Sequence, residues 1–222
     1  MVDIASASEE AASVRRASVA QIPAMAGVLA RAFHDDPVFS WVLRADARRP
    51  AILRRAFELF LLRVWIEEEQ TFTTANVAGV DVWEPPGRWK HGIGEQLRLL
   101  PSMLGIFGRH LHRTLRSLAV LEGGHPAEPG RPPHYYLPFI GVDPHWQGRG
   151  LGGATLAPVL ERCDRDGVPA FLEASTPRNR ALYERHGFEV TEEFALGRGA
   201  PSQWRMWRES GRDRSRRVGD AA

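Results

Sequence analysis

The sequence predicts an α/β fold of the α+β type, a mixed, mostly antiparallel sheet of six or seven strands with helices on both faces. Three observations lead to it. Apolar residues early in the chain recur at helical spacing, first as Ile22, Met25, Ala26, Leu29 and Phe33, then as Leu53, Ala56, Phe57, Phe60, Leu61 and Val64. Two β-rich runs, QTFTTA and VAGVDVW, bracket Asn76 as an antiparallel hairpin that stops at Pro85 and Pro86. The second half reads as strand HYYLPFIGV, a glycine-rich loop, a helix and strand PAFLEAS, with FEVTEEFAL and SQWRMWRE as closing strands.

Composition narrows the function classes. With 222 residues, 43% of them hydrophobic and 25% charged, the chain fits one sizeable globular domain. The expected division is a disordered start over residues 1–12, a single domain over 13–209 and a disordered basic tail over 210–222. No apolar run is long enough for a membrane span, and the start MVDIASASEEAASV has no apolar signal core, so a cytoplasmic protein is expected. The single cysteine, Cys163, cannot build a disulfide framework or a thiolate zinc site, and no metal is expected. The formal charge of +2 shows no concentrated basic face, which argues against a nucleic-acid partner. Arginines beside the second helix read as a solvated outer face rather than a membrane surface.

Within this frame SVRRAS is a short first strand, and AFHDDPVFSW is a break between the first two helices because Pro37 pushes its predecessor toward extended geometry. A helical stretch after the hairpin is interrupted at Pro101 and ends in the loop LEGGHPAEPGRPP. Leu156, Val159, Leu160 and Cys163 form the buried face of the helix after the glycine loop. A short helix then has signals at both ends, with Thr176 as N-cap, Pro177 at the first helical position and Gly187 just past the end.

The segment that carries chemistry is Gln147-Gly148-Arg149-Gly150-Leu151-Gly152-Gly153, between a strand and a helix. Glycines there let backbone N–H groups approach a ligand with no Cβ in the way, and the helix start adds its positive dipole end, so a phosphate or pyrophosphate is the expected guest. A nucleotide P-loop needs Lys then Ser or Thr after its last glycine, and Ala154 follows Gly153. The dinucleotide pattern is met by Gly148, Gly150 and Gly153, with Glu173 about 20 residues onward. Too little chain follows Glu173 for the rest of such a fold, although a dinucleotide-dependent oxidoreductase remains an alternative.

Strand LPFIGVDP, then Gln147, Gly150 and Gly152 in a Q-x-x-G-x-G pattern, then helix, strand FLEAS and P-R-N-x-x-L-Y-x-x-H-G-F, resembles the cofactor half of GNAT N-acetyltransferases. The run from Tyr135 to Val190 is especially similar to the branch that contains puromycin N-acetyltransferase, and the likeness extends from Val14 to Trp207. This resemblance implies a V-shaped gap in the sheet and acetyl-CoA as acyl donor. It also implies direct transfer, in a ternary complex, to the amine of a small molecule such as an antibiotic-like compound or metabolite. It assigns backbone of Ile140 and Val142 to the pantetheine arm, and Gln147, Gly148, Arg149, Gly150, Leu151, Gly152 and Gly153 to the pyrophosphate loop. Asn179 would touch the pantetheine, and Tyr183 would protonate the departing thiolate. Pro138 independently marks a bulge or unpaired position in the strand before the loop, because proline cannot donate to a ladder. Asn179 and Tyr183, four residues apart, share one helix face.

An amine acceptor must lose a proton, so a base is required. Glu173 is the first candidate, with Glu84 and Asp35 or Asp36 behind it. Cys163 lies on an apolar helix face, which argues against a covalent acetyl-cysteine route. A non-catalytic acyl-CoA sensor of the same fold is the second alternative. The expected assembly is a monomer or homodimer.

Overall fold

The computed structural model describes residues 4–43, 46–62, 70–89, 93–126 and 131–211. Helix α1 (Ile4–Ala12) is followed by β1 (Arg15–Arg16), α2 (Ile22–Ala32), α3 (Pro37–Leu43), α4 (Arg49–Phe60), β2 (Thr71–Thr73) and β3 (Gly79–Glu84). Helices α5 (Ile93–Phe107) and α6 (Leu111–Gly124) lead to β4 (Tyr135–Val142), α7 (Leu151–Asp166), β5 (Ala170–Ala174), α8 (Pro177–Arg185), β6 (Glu189–Ala195) and β7 (Ser202–Arg208). The strands form one seven-stranded sheet in the order β1-β2-β3-β4-β5-β7-β6. Every neighbouring pair is antiparallel except β4 and β5.

Alternation along the strands divides the core between two faces. Val80 and Val82 of β3 pack with Met25 and Leu29 of α2 and with Leu53 and Phe57 of α4. Trp83, Leu137 and Leu172 pack on the other side with Leu156 and Val159 of α7 and Tyr183 of α8. Phe33, Phe39, Phe57 and Phe139 join the first core as a ring cluster with centroids 5.2 to 6.2 Å apart. Arg31 of α2 donates from Nε and a terminal nitrogen to Asp143 Oδ2, at 2.8 and 2.6 Å, tying this helix to the end of β4.

Three expectations are corrected. The start of the chain is helical from Ile4, because Glu10 accepts the backbone and side-chain N–H of Asn76, at 2.8 and 2.7 Å, and Ala7 packs with Ala78 and Leu151. The segment read as a break holds α3, since Pro37 opens that helix and Asp36 Oδ1 accepts the N–H groups of Val38 and Phe39. Helix α5 runs through Pro101, whose ring frees a carbonyl only on an exposed stretch where Leu97 is itself solvated. Val64 and the tail from 212 onward lie outside the described residues. Among the described residues no helix is long and apolar enough to cross a membrane.

Helix α2 crosses β4 closely at Gly141. A Cβ added there would meet Leu29 Cδ2 at 2.9 Å and Ala32 Cβ at 3.0 Å. Gly141→Val is therefore expected to destabilise the protein by about 1–3 kcal/mol, read as a lower urea midpoint with unchanged slope.

Candidate active site

The register between β3 and β4 advances by two residues on β3, from Val82 to Glu84, while β4 covers three, from Phe139 to Tyr136. One extra residue therefore lies at Leu137–Pro138, a β-bulge. Before it, Tyr135 N–H bonds to the carbonyl of Pro169 on the β5 side. Beyond it, Asp143 N–H bonds to Ala78 on the β3 side, so by alternation Phe139 and Gly141 also face β3. Ile140 and Val142 are left with backbone groups aimed away from β3. Strand β5 cannot take them, because its pairing with β4 ends at Leu137–Leu172 while its pairing with β7 continues to Ala174. A wedge-shaped opening follows, lined on one edge by Ile140 and Val142.

The glycine loop sits at the mouth of this opening. Gln147 Nε2 donates to Val142 O at 3.1 Å, fixing the loop to the end of β4. Gly148 and Gly150 hold φ of 76° and 85°, the left-handed region that glycine enters without strain, and nothing lies within 4 Å of a Cβ built at either. Gly150 is the N-cap of α7, so the N–H groups of Leu151, Gly152 and Gly153 open the helix without intrahelical acceptors. Arg149 is half-buried beside them. Gly153 has a packing task as well, since a Cβ there would meet His186 Nε2 at 3.0 Å. Open backbone, free donors and a positive helix end suit a pyrophosphate, and the unpaired edge of β4 suits an amide-bearing arm.

Helix α8 closes the opposite edge. Thr176 caps it by accepting Asn179 N–H at 3.1 Å. Asn179 Nδ2 donates to Ser175 Oγ at 3.4 Å, and Ser175 Oγ donates to Asp36 Oδ2 at 2.6 Å. Tyr183 is buried on the α7 side of the sheet, its phenol pushed up by burial and by the carboxyls of Asp36 and Asp81. Asp81 is wholly buried, with Trp83 Nε1 donating to its Oδ2 at 2.9 Å, and burial pushes its carboxyl well up. Asp35 points to solvent beside His34 and takes no part.

Glu173 lies on the other face of β5, since Leu172 and Ala174 share the core with Tyr183. It pairs in register with Arg205, and its Oε1 is buried without a partner. Burial, opposed by the Tyr136 phenol and Arg205 and reinforced by Glu84, pushes its carboxyl up to about 7. Glu84 and Tyr136 are partners in the β3–β4 register, so both acidic candidates from the hairpin and from β5 converge on one phenol. His134 Nδ1 lies 2.8 Å from Pro132 O and therefore carries the proton. Its Nε2 then accepts from His125 Nε2–H at 3.0 Å. Burial, followed by His134 and Arg205, lowers His125 to about 3, and burial lowers His134 too, so both imidazoles are weak proton acceptors and poor candidates for the base.

Residues 114–188, which contain β4, the glycine loop, α7 and α8, match the family described as Acetyltransferase (GNAT) family. An uncharacterised N-acetyltransferase of Schizosaccharomyces pombe is 27% identical over 182 residues, covering 78% of this chain and 72% of the relative. These matches mark the chain as an N-acetyltransferase whose segment 114–188 is similar to the GNAT family. A solved Corynebacterium glutamicum structure, described as histone acetyltransferase HPA2 and related acetyltransferase, shares the fold. Its TM-score is 0.65 at 23% identity, covering 90% of this chain and 96% of that one. Drosophila melanogaster polyamine N-acetyltransferase, which forms N-acetylagmatine, shares the fold with a TM-score of 0.60 at 17% identity, covering 88% and 98%.

In this N-acetyltransferase Cys163 is wholly buried, and burial pushes its thiol up to about 12, which leaves it inert at pH 7. Sequence reasoning did not single out Tyr136, Arg205, His125, His134, Asp81 or Ser175. Tyr136 stands two residues before Pro138, the one local signal among them. Gly150→Val places a β-branched side chain in a left-handed conformation that costs roughly 1–2 kcal/mol and in the path of a phosphate. The expected result is a folded protein, with a slightly lower melting temperature, whose coenzyme A affinity in calorimetry is lost.

Proposed function

We propose that this N-acetyltransferase moves the acetyl group of acetyl-CoA directly to the amine of a small molecule, an antibiotic-like compound or metabolite, in a ternary complex, with residues 13–209 as the acetyltransferase domain. The observation that carries this reading is the parting of β4 from β5 after Leu137, with the glycine loop at one end and Tyr183 and Glu173 on its two sides. The resemblance of Tyr135–Val190 to the puromycin N-acetyltransferase branch supports an amine-bearing antibiotic or metabolite as acceptor.

Bound in the opening, acetyl-CoA supplies an activated acyl thioester. Backbone N–H groups from Gly148 to Gly153 hold the pyrophosphate, and Ile140 and Val142 with Asn179 hold the arm. Ile140 N–H is aimed where a carbonyl oxygen gains charge during attack, as an oxyanion donor. Tyr183 stays protonated because burial and two neighbouring carboxyls disfavour its phenolate. A thiol has a reference pKa of about 8.5, so full transfer from this phenol to sulfur is uphill. Tyr183 therefore acts by donating a hydrogen bond to the sulfur as it departs. Glu173, poised at about 7, takes the amine proton, which matches a general base to neutral pH. The inert Cys163 leaves direct transfer as the route.

Release of free coenzyme A thiol in the presence of an amine panel tests the reading, and binding without release would make the protein an acyl-CoA sensor. Tyr183→Phe is expected to keep acetyl-CoA affinity and slow turnover about 10²-fold, the scale for losing one hydrogen-bond donor to developing charge, measured under conditions where chemistry limits the rate. Unchanged kinetics would remove the phenol from the mechanism. For Glu173, kcat/KM is expected to rise with pH to a plateau above about 7, and Glu173→Gln to lose that limb. The sign for stability is opposite. A carboxyl raised from 4.5 to about 7 keeps a proton in the folded state that the unfolded chain has lost, so this residue lowers stability as pH rises through that window. Glu173→Gln should therefore raise the melting temperature above pH 7 while lowering activity.

A further inference from the structure

On the face of the sheet that carries Glu173, a cavity of about 170 Å³ lies between the end of α6, Arg131 and strands β5, β6 and β7. That is roughly the volume of five or six waters in the liquid, room for a carboxylate and the carbons that bear it. Its lining has an excess of donors. The Arg131 guanidinium lies 4.6 Å from the centre of the Trp207 ring and has no acidic partner among the described residues. Trp207 and Arg205 are 5% and 7% exposed, and the indole Nε1–H and Arg205 Nε–H are both buried without an acceptor. Native structures nearly always pair such donors. Glu192 is the carboxylate in the lining, and Arg205 already holds it. The unspent charge is that of Arg131.

The sheet register sets the distance from this cavity to the candidate base. Glu173 stands opposite Arg205, and Phe171 stands opposite Trp207. The Arg131–Trp207 end is thus two residues along β5 from Glu173, roughly 7 Å at about 3.4 Å per residue. The stretch between is aromatic: Phe171 stacks on Tyr136 with centroids 5.8 Å apart, and His125 meets both rings edge-on at 4.9 and 4.7 Å.

We propose that this cavity is the acceptor's anion subsite, so that the amine acetylated here belongs to a molecule carrying a carboxylate roughly 7 Å from its nitrogen, with a flat apolar spacer between. The inference rests on the reading of Glu173 as the group that meets the amine. An α-amino acid is too short to span the two points, and a simple arylalkylamine leaves Arg131 unanswered.

The test compares 4-(aminomethyl)benzoate with benzylamine, which differ only in the carboxylate. With acetyl-CoA, the wild-type protein is expected to prefer the carboxylated amine at least about tenfold in kcat/KM, equivalent to about 1.4 kcal/mol. Arg131→Gln is expected to bring the two within about twofold, and calorimetry without acetyl-CoA should show the same carboxylate-dependent affinity and its loss. Equal use of both amines by the wild type, or a preference that survives Arg131→Gln, overturns the subsite while leaving acetyl transfer standing. Carboxylate-dependent binding with neither amine acetylated leaves the subsite and sinks the transfer reading. Failure of both amines to bind or react overturns both.

Discussion

The extra residue that Leu137 and Pro138 insert into β4 is the constraint on which the rest of the molecule depends. An unbroken strand alternates faces at every residue, so Tyr136 and Phe139, three apart, would lie on opposite sides of the sheet. The bulge changes that parity. Tyr136 meets Phe171 and His125 on one face, and Phe139 meets Phe33, Phe39 and Phe57 on the same face. The same shift turns the backbone of Ile140 and Val142 away from β3, where β5 has already diverged to pair with β7. Proline suits this place because a bulge already breaks the ladder, so its missing N–H leaves no bond unmade.

What could be read from the sequence was what one or two neighbouring residues decide. Gly148 and Gly150 need positive φ, Thr176 caps α8, and Gly187 ends that helix at φ 84°, and each requirement is written locally. The alternation of β3 and the helical stripes of α2 and α4 are likewise local in period. The misread elements depend on distant partners. Helix α1 has alanines in place of an apolar stripe and is held by Asn76, more than sixty residues away in the chain. The Asp36-Pro37 pair carries both a break and a helix-start signal, and Ser175, reaching Asp36 Oδ2 from the end of β5, holds that start in place. Pro101 is tolerated because its face of α5 is wet, which no local spacing states.

The candidate site divides in the same way. The glycine loop is a contiguous motif, whereas the acidic centre is assembled from β3, β4, β5 and β7. Glu173 looked promising because a carboxylate in mid-strand is hard to bury. Its behaviour is set by Tyr136, Arg205 and Glu84, residues from three other strands. His125 and His134 look like bases in a list of residues, yet they bond to each other and burial lowers both, which leaves them weak proton acceptors. What separates a base from a structural histidine here is burial, since the Pro132 carbonyl 2.8 Å away works in the opposite direction on His134.

In the mechanism proposed above, the two proton-handling groups are kept apart by the sheet itself. Tyr183 shares a core with Leu172 and Ala174, and Glu173, between them in sequence, projects to the other face. A phenol and a carboxylate in contact shift each other, as Tyr136 and Glu173 do, the phenol lowering the carboxyl and the carboxyl raising the phenol. Separated by a strand, Tyr183 responds to Asp36 and Asp81, and Glu173 responds to Tyr136, Arg205 and Glu84. A hydrogen bond can then be offered on one face while a proton is accepted on the other. The parting of β4 from β5 is the route by which one small group could reach both faces, so the bulge that opens the sheet also makes a divided acid and base workable.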